Sequence, residues 1–192
     1  YRDFTIRDCH GGIYLAGVGT ATMPHDDGNQ IISSSCTTFN SIGDPSVPND
    51  IGGGNTYAYG IVMGAQGGFI LKNTIITNVT SSNSIASVDG IYVASAKGNC
   101  EVSNNIVRTI VRNNVGGYGS QLTGIRISHS GYTNNVKIFN NSISDIRTTY
   151  TGVPTTDLLA KGISFTAGIY NGTTYEMWNN SISIDGTSFP NA

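Results

Sequence analysis

The chain has 192 residues, within the range of one domain, and 38% of them are hydrophobic, which is enough for a continuous core. Only 11% carry charge, well below the roughly 25% of an ordinary globular domain, and the formal net charge is -2. This balance excludes broad attraction to nucleic acid or anionic lipid, since both need clustered lysine and arginine. No apolar run reaches the length of a membrane helix, and residues 1–20 lack a signal-peptide pattern. We therefore predict no nucleic-acid partner, no membrane insertion, and an export signal outside this chain.

The composition favours an all-β fold. Helix-favouring glutamate occurs only at Glu101 and Glu176, whereas isoleucine, valine, threonine and tyrosine recur in short runs between glycine and asparagine. Three cysteines, Cys9, Cys36 and Cys100, match neither a metal spacing nor a dense disulfide framework. We expect them to act as small buried apolar residues.

An eleven-residue phrase recurs along the chain and gives the strongest signal. Residues 1–9 fit its last nine positions, so the chain is expected to begin in the middle of a repeat, and a degenerate copy follows at 29–39. Four good copies, of which VKIFNNSISDI is one, occupy 69–79, 100–110, 136–146 and 175–185. Their first and third positions are apolar, which is the period of a strand with one buried face.

A second phrase, glycine followed by apolar, variable and apolar residues, alternates with the first. Its copies begin at Gly12, Gly60, Gly90, Gly124 and Gly162. The repeat length drifts, from 30 residues between Asp3 and Ser33 to 40 between Ser33 and Asn73. Such drift predicts a solenoid whose coils keep their strands and vary their loops, because loop insertions cost little free energy.

The fifth position of the long phrase is asparagine in all four good copies: Asn73, Asn104, Asn140 and Asn179. If adjacent coils pair as parallel strands about 4.8 Å apart, these amides can hydrogen-bond into a ladder. Asparagine also tolerates the left-handed backbone conformation that a sharp corner requires. We therefore interpret these residues as structural corner residues.

The apolar strand, the N-N-x-I corner and the following Gly-Ile strand resemble the parallel β-helix repeat of the pectate-lyase-like superfamily. The resemblance covers nearly the whole chain and implies a right-handed parallel β-helix, a single-stranded solenoid of about five coils in one domain, 1–192. The NNSISDI and NNIVRTI phrases also resemble the coils of large multi-repeat secreted bacterial surface proteins. That second likeness implies that the chain is a fragment of a longer β-helical protein.

Two predicted loop insertions, 16–28 and 40–59, break the rhythm and are rich in glycine, proline and aspartate. Loops on rigid scaffolds often carry chemistry, which makes Asp26 and Asp27, beside His25, candidate ligands for a hard cation. We predict no cofactor, and calcium is the alternative. The alternative is a solvated turn, which suits the Asp27-Gly28 dipeptide.

A candidate binding face runs along the variable position of the Gly-Ile phrase. If the coils are in register, this position stacks Tyr14, Val62, Tyr92, Arg126 and Ser164 on one outer face. The two tyrosines and the arginine suit stacking against sugar rings, and His129 is an isolated candidate base near the end of its strand. The alternative is an ordinary exposed strand surface, for which aromatic and β-branched residues are well suited.

The resemblance alone does not settle activity, because the superfamily contains lyases, glycoside hydrolases and non-catalytic surface proteins. Its lyases cluster carboxylates for calcium, and its hydrolases pair aspartates with G-H-G and R-I-K segments. Here only fragments occur, at Cys9-His10-Gly11 and Gly124-Ile125-Arg126, so we predict no catalytic residues. We expect a structural or adhesive segment of a secreted or cell-surface protein, in contact with neighbouring β-helical coils of an extracellular assembly. The alternatives are a polysaccharide lyase or hydrolase fragment and a carbohydrate-binding module.

Overall fold

The computed structural model describes residues 1–9, 11–16, 26–33, 39–47, 50–53, 57–82, 87–113, 121–128, 134–148, 160–166 and 173–184. Regular structure within these ranges is entirely β-strand. They contain no helix, and hence none long and apolar enough to cross a membrane.

The strands, numbered in chain order, form three parallel sheets. The first sheet contains β1 (Thr5–Ile6), β5 (Asn40–Ile42), β6 (Ile51–Gly53), β10 (Thr74–Ser81), β13 (Ile106–Arg112), β16 (Ser142–Thr148) and β19 (Ser181–Ser183). The second contains β2 (Ile13–Ala16), β7 (Tyr57–Gly64), β11 (Ser87–Val93), β14 (Leu122–Ile127) and β17 (Ala160–Phe165). The third contains β3 (Asp26–Asp27), β4 (Gln30–Ile31), β8 (Gln66–Gly67), β9 (Ile70–Lys72), β12 (Ala96–Ser103), β15 (Asn134–Phe139) and β18 (Thr174–Trp178).

The chain visits the three sheets in the same order in every circuit. Each strand pairs in parallel with the strand that occupies the same place one circuit later, as β13 does with β16. The prediction of an all-β fold with parallel strands in stacked sheets is therefore confirmed, and the arrangement is compatible with a β-helix or another solenoid.

The core consists of apolar columns that run across the circuits. Ile76, Val107 and Ile143 lie side by side in the first sheet and are at most 1% exposed. A column in the third sheet joins Leu71, Val102 and Ile138 in the same way. The alternation predicted for the long phrase thus separates the buried face from the outer face.

The glycine of the short phrase lies where each strand of the second sheet bends over the core. A Cβ atom on Gly90 would lie 2.3 Å from Val107 Cγ1, and one on Gly124 would lie 2.5 Å from Ile143 Cγ2. Only a hydrogen atom fits between the bend and the isoleucine-valine column. This close approach explains why glycine begins every copy of the short phrase.

The asparagines at the fifth position occupy the corner between the third and first sheets. All four have a left-handed backbone, with φ of 52–54° at Asn73, Asn104, Asn140 and Asn179. The side chains of the last three are exposed and that of Asn73 is 8% exposed. A side chain that faces outward cannot form an internal ladder.

The amide ladder lies one residue further along, which corrects its predicted position. Asn105 Nδ2 donates to Asn141 Oδ1 at 3.0 Å, and Asn141 Nδ2 donates to Asn180 Oδ1 at 3.0 Å. At the other end Asn40 Nδ2 donates to Thr74 Oγ1 at 3.3 Å. The left-handed residue turns the chain, and the side chain that follows it is the one enclosed by the corner.

The predicted insertion 40–59 is also corrected, because most of its described residues lie in the sheets. Both β5 and β6 pair with β10, and β7 begins at Tyr57. The composition suggested a loop, yet Gly43 and Gly52 are needed for close packing, since a Cβ on them would lie 1.9 and 2.3 Å from backbone oxygens of β10. The buried Asp50 stabilises the connection between β5 and β6, because its carboxylate accepts hydrogen bonds from the backbone amides of Asp8 and Asp44.

Candidate functional site

The outer face of the second sheet carries the predicted column of variable residues in register. Tyr14 pairs with Val62, Val62 with Tyr92, Tyr92 with Arg126, and Arg126 with Ser164. The predicted register is thereby confirmed.

A cleft of about 270 Å³ lies in this outer face. The side chains that line it come from β2, β7, β11 and β14, which are four successive strands of the second sheet. They are Tyr14, Tyr57, Ala58, Tyr59, Val62, Ser87, Asp89, Tyr92 and Arg126. The cleft thus joins the predicted stripe to residues on the other side of the glycine bend.

An ion pair lies at the floor of the cleft. Arg126 Nη2 is 2.5 Å from Asp89 Oδ2, and the two side chains are 12% and 3% exposed. The Arg126 guanidinium also lies over the Tyr92 ring, with Cζ 3.7 Å from the ring centroid. Contact with both the carboxylate and the ring fixes the guanidinium, because a planar cation that stacks and pairs at once has few alternative rotamers.

Burial dominates the electrostatics of this floor. Loss of hydration raises the pKa of Asp89 to about 7, and the neighbouring Arg126 charge only partly offsets this effect. Among the described residues, Asp89 Oδ1 and Arg126 Nε make no well-aligned hydrogen bond, although the Thr123 side chain lies close enough to lower the Asp89 pKa. Buried polar atoms without partners are rare, so these two atoms mark the floor as an incompletely satisfied polar site.

Tyrosine rings form the sides and rim of the cleft. Tyr14 and Tyr57 are 60% and 63% exposed, so both offer ring surface to solvent. The Tyr14 and Tyr59 rings are tilted by 45° with centroids 6.0 Å apart, within the range of favourable aromatic pairs. Burial raises the pKa of Tyr59 above its ordinary value of 10.0, so its hydroxyl, which is already protonated at neutral pH, remains a donor in alkaline solution as well.

The structure thus brings together Tyr14, Tyr92 and Arg126, three of the four residues predicted to bind a ligand. His129 lies outside the described residues. Sequence reasoning missed Tyr59 and Asp89, which precede the glycine of the short phrase. The alignment of the short phrases could have identified them, because Tyr59 and Asp89 occupy equivalent positions and pair directly in the second sheet.

The predicted cation ligands lie elsewhere. Asp26 and Asp27 form β3, which pairs with Gln66–Gly67 of the third sheet, and their side chains fall outside the description. Among the described residues no three histidine, cysteine, aspartate or glutamate side chains cluster as a metal site would require. Of the cysteines, Cys100 is buried and Cys9 is partly buried, while Cys36 lies outside the described residues.

Searches against protein-family models, curated proteins and solved structures found no significant match. The fold and the site therefore define the class of protein on their own: an all-β chain of stacked parallel strands with a tyrosine-lined cleft on one outer face.

Proposed function

We propose that the chain is a stretch of right-handed parallel β-helix that serves as a non-catalytic structural or adhesive segment of a secreted or cell-surface protein. Its partners are further β-helical coils that stack on its ends. The right hand follows from the strong steric preference of parallel crossover connections. The low charge and the abundance of serine, threonine, asparagine and glycine support an extracellular surface protein.

The observation that carries this proposal is the exposed apolar surface of the last circuit among the described residues. Ile182 is 48% exposed, although Ile143, its neighbour in the same column, is 1% exposed. Met177 is 51% exposed, although Ile138 beside it is completely buried. Trp178 adds a ring that stacks on Phe139 at a centroid distance of 4.4 Å. Internal circuits cover these positions with the next coil, so the end has the chemistry of a coil-to-coil contact.

The asparagine ladder makes the end directional. Within the ladder, the backbone amides of Thr74, Asn105 and Asn141 each donate to the asparagine Oδ1 of the next coil at 3.1 Å. Among the described residues the ladder stops at Asn180, whose side chain is held by Ile138 O at 2.8 Å. A fitting partner is a β-coil with an acceptor at the ladder position, apolar residues over the columns, and a free strand edge.

The test is self-association, because another copy is the only β-coil available to the isolated chain. We expect its mass, measured by light scattering, to rise with concentration. Ile182→Asp should abolish the rise, whereas Val47→Asp, at a position that is also exposed (39% against 48%) but lies outside the last described circuit, should leave it unchanged. A mass that stays monomeric from low micromolar to near-millimolar concentration, or that Val47→Asp lowers equally, would overturn the proposal.

A further inference from the structure

We propose that the cleft of the second sheet binds a neutral sugar unit of a glycan chain, with a pyranose ring against Tyr14 and Tyr57 and a hydroxyl at the Asp89–Arg126 pair. This binding site is a function separate from coil stacking, which uses the end of the solenoid. The inference rests on the floor, the walls, the charge balance and the size of the cleft.

The floor is built to receive a group that is both donor and acceptor. Asp89 is only 2% exposed, and its Oδ1 makes no well-aligned hydrogen bond among the described residues, although the neighbouring Thr123 side chain lowers the Asp89 pKa as a hydrogen-bond partner does. Arg126 Nε makes none either, and Arg126 Nη2 is held on Asp89 Oδ2 at 2.5 Å. A hydroxyl group donates to a carboxylate oxygen and accepts from a guanidinium N–H at the same time. Sugars carry such groups on adjacent carbons, and a sugar hydroxyl reaches these two buried atoms once the side chains that cover them shift.

The walls supply flat apolar surface beside this polar floor. Tyr57 and Tyr14 project from neighbouring strands and are more than half exposed, which leaves their rings available to a ligand. A tyrosine ring provides a rigid apolar face together with a hydroxyl that bonds at its edge. Apolar walls with a few convergent polar groups are the usual composition of a small-molecule site.

The charge balance of the floor selects a neutral ligand. Above about pH 7, where Asp89 is ionised, Asp89 and Arg126 neutralise each other at 2.5 Å, so the cleft then gives no net attraction to an anion or a cation. A uronate or phosphate would lie against the Asp89 carboxylate, and an ammonium group would lie against the Arg126 guanidinium. Either placement brings like charges together in a poorly hydrated site, where repulsion is strong.

The size and openness of the cleft match one unit of a chain. Its volume of about 270 Å³ is just below the roughly 300–1,000 Å³ typical of sites for drug-sized ligands. Because Tyr14 and Tyr57 remain exposed at the rim, a chain can continue beyond the bound unit along the sheet. The walls therefore fit an internal sugar residue as well as a terminal one.

Affinity electrophoresis in native gels tests the site, with hydroxyethylcellulose, galactomannan and xyloglucan as neutral probes and polygalacturonate as an anionic comparator. We expect at least one neutral polymer to retard the protein and polygalacturonate to retard it less. Tyr57→Ala should weaken the retardation about 3- to 10-fold, as expected for loss of one stacking face. Tyr1→Ala is the matched control, since Tyr1 is 64% exposed and lies outside the cleft.

Absence of retardation by all three neutral polymers would overturn the inference. So would stronger retardation by polygalacturonate, or a loss that Tyr1→Ala and Tyr57→Ala share equally. The outcome is independent of coil stacking: Ile182→Asp should leave retardation unchanged, and Tyr57→Ala should leave self-association unchanged.

Discussion

Replacing Asn141 by leucine tests whether the inner ladder holds the coils together. Asn141 is 1% exposed, and leucine has the same branched skeleton with bulkier end groups, so the change removes hydrogen bonds without opening a cavity. In the native chain, Asn141 Oδ1 accepts from the Asn105 backbone amide at 3.1 Å and from Asn105 Nδ2 at 3.0 Å. Its Nδ2 donates to Val102 O and to Asn180 Oδ1, both at 3.0 Å.

The expected cost follows from the groups left behind. Two donors of Asn105 and the carbonyl oxygen of Val102 would remain buried without their partner, and each such group costs about 1–3 kcal/mol. Asn180 Oδ1 is partly exposed, so water replaces its lost bond at little cost. The free energy of unfolding should therefore fall by about 3–9 kcal/mol.

Urea unfolding followed by circular dichroism measures this loss, provided that the slope of the unfolding free energy against urea concentration is the same in the variants being compared. Asn140→Gly is the matched control one residue away, because its side chain is exposed and glycine accepts its φ of 54° without strain. We expect that control to cost less than about 1 kcal/mol. Equal destabilisation by the two variants, or a larger effect at Asn140, would refute the position of the ladder.

Three further predictions concern the bend, the floor of the cleft and the core column. Gly124→Ala should lower the free energy of unfolding in urea by about 3 kcal/mol or more, because its Cβ would lie 2.5 Å from Ile143 Cγ2. Gly98→Ala is the control, since the space around Gly98 is open. It should cost only the roughly 1–2 kcal/mol that alanine pays for the left-handed backbone. The pKa of Asp89 is raised to about 7 from its ordinary value of 3.8, so the folded state holds this proton more tightly than the unfolded state. The resulting stability is fully present below about pH 4 and is lost as the pH rises through about 7, a change of about 4 kcal/mol in the free energy of unfolding. Urea titrations at a series of pH values measure this change, and it should be absent in Asp89→Asn. Ile143→Asp should destabilise the fold by about 4 kcal/mol or more, and Ile182→Asp, in the same column at the exposed end, by about 1 kcal/mol; similar midpoints for the two would contradict the column.

The sequence was sufficient to predict features that repeat. The columns of Ile76, Val107 and Ile143 and the outer register of Tyr92 and Arg126 follow from phrase alignment alone, since a parallel stack places equivalent positions side by side. The position of the ladder did not follow, because Asn140 and Asn141 are chemically identical and only the backbone twist at the corner decides which side chain is enclosed.

Composition was a poor guide where glycine serves packing rather than flexibility. The stretch from 40 to 59 resembles a loop, yet Gly43 and Gly52 let β5 and β6 approach the backbone of β10. Only part of the cleft was predicted, for a related reason. The strand pairing skips Gly90, which places Asp89 and Tyr92 on one face although simple alternation counts them as opposite.

A crystal structure of the chain tests the central claim most directly. The account predicts parallel strands about 4.8 Å apart, with Ile76, Val107, Ile143 and Ile182 in one column and Asp89 paired with Arg126 under the tyrosine cleft. Antiparallel pairing, or a shift that places Ile143 beside any residue other than Val107 and Ile182, would contradict it.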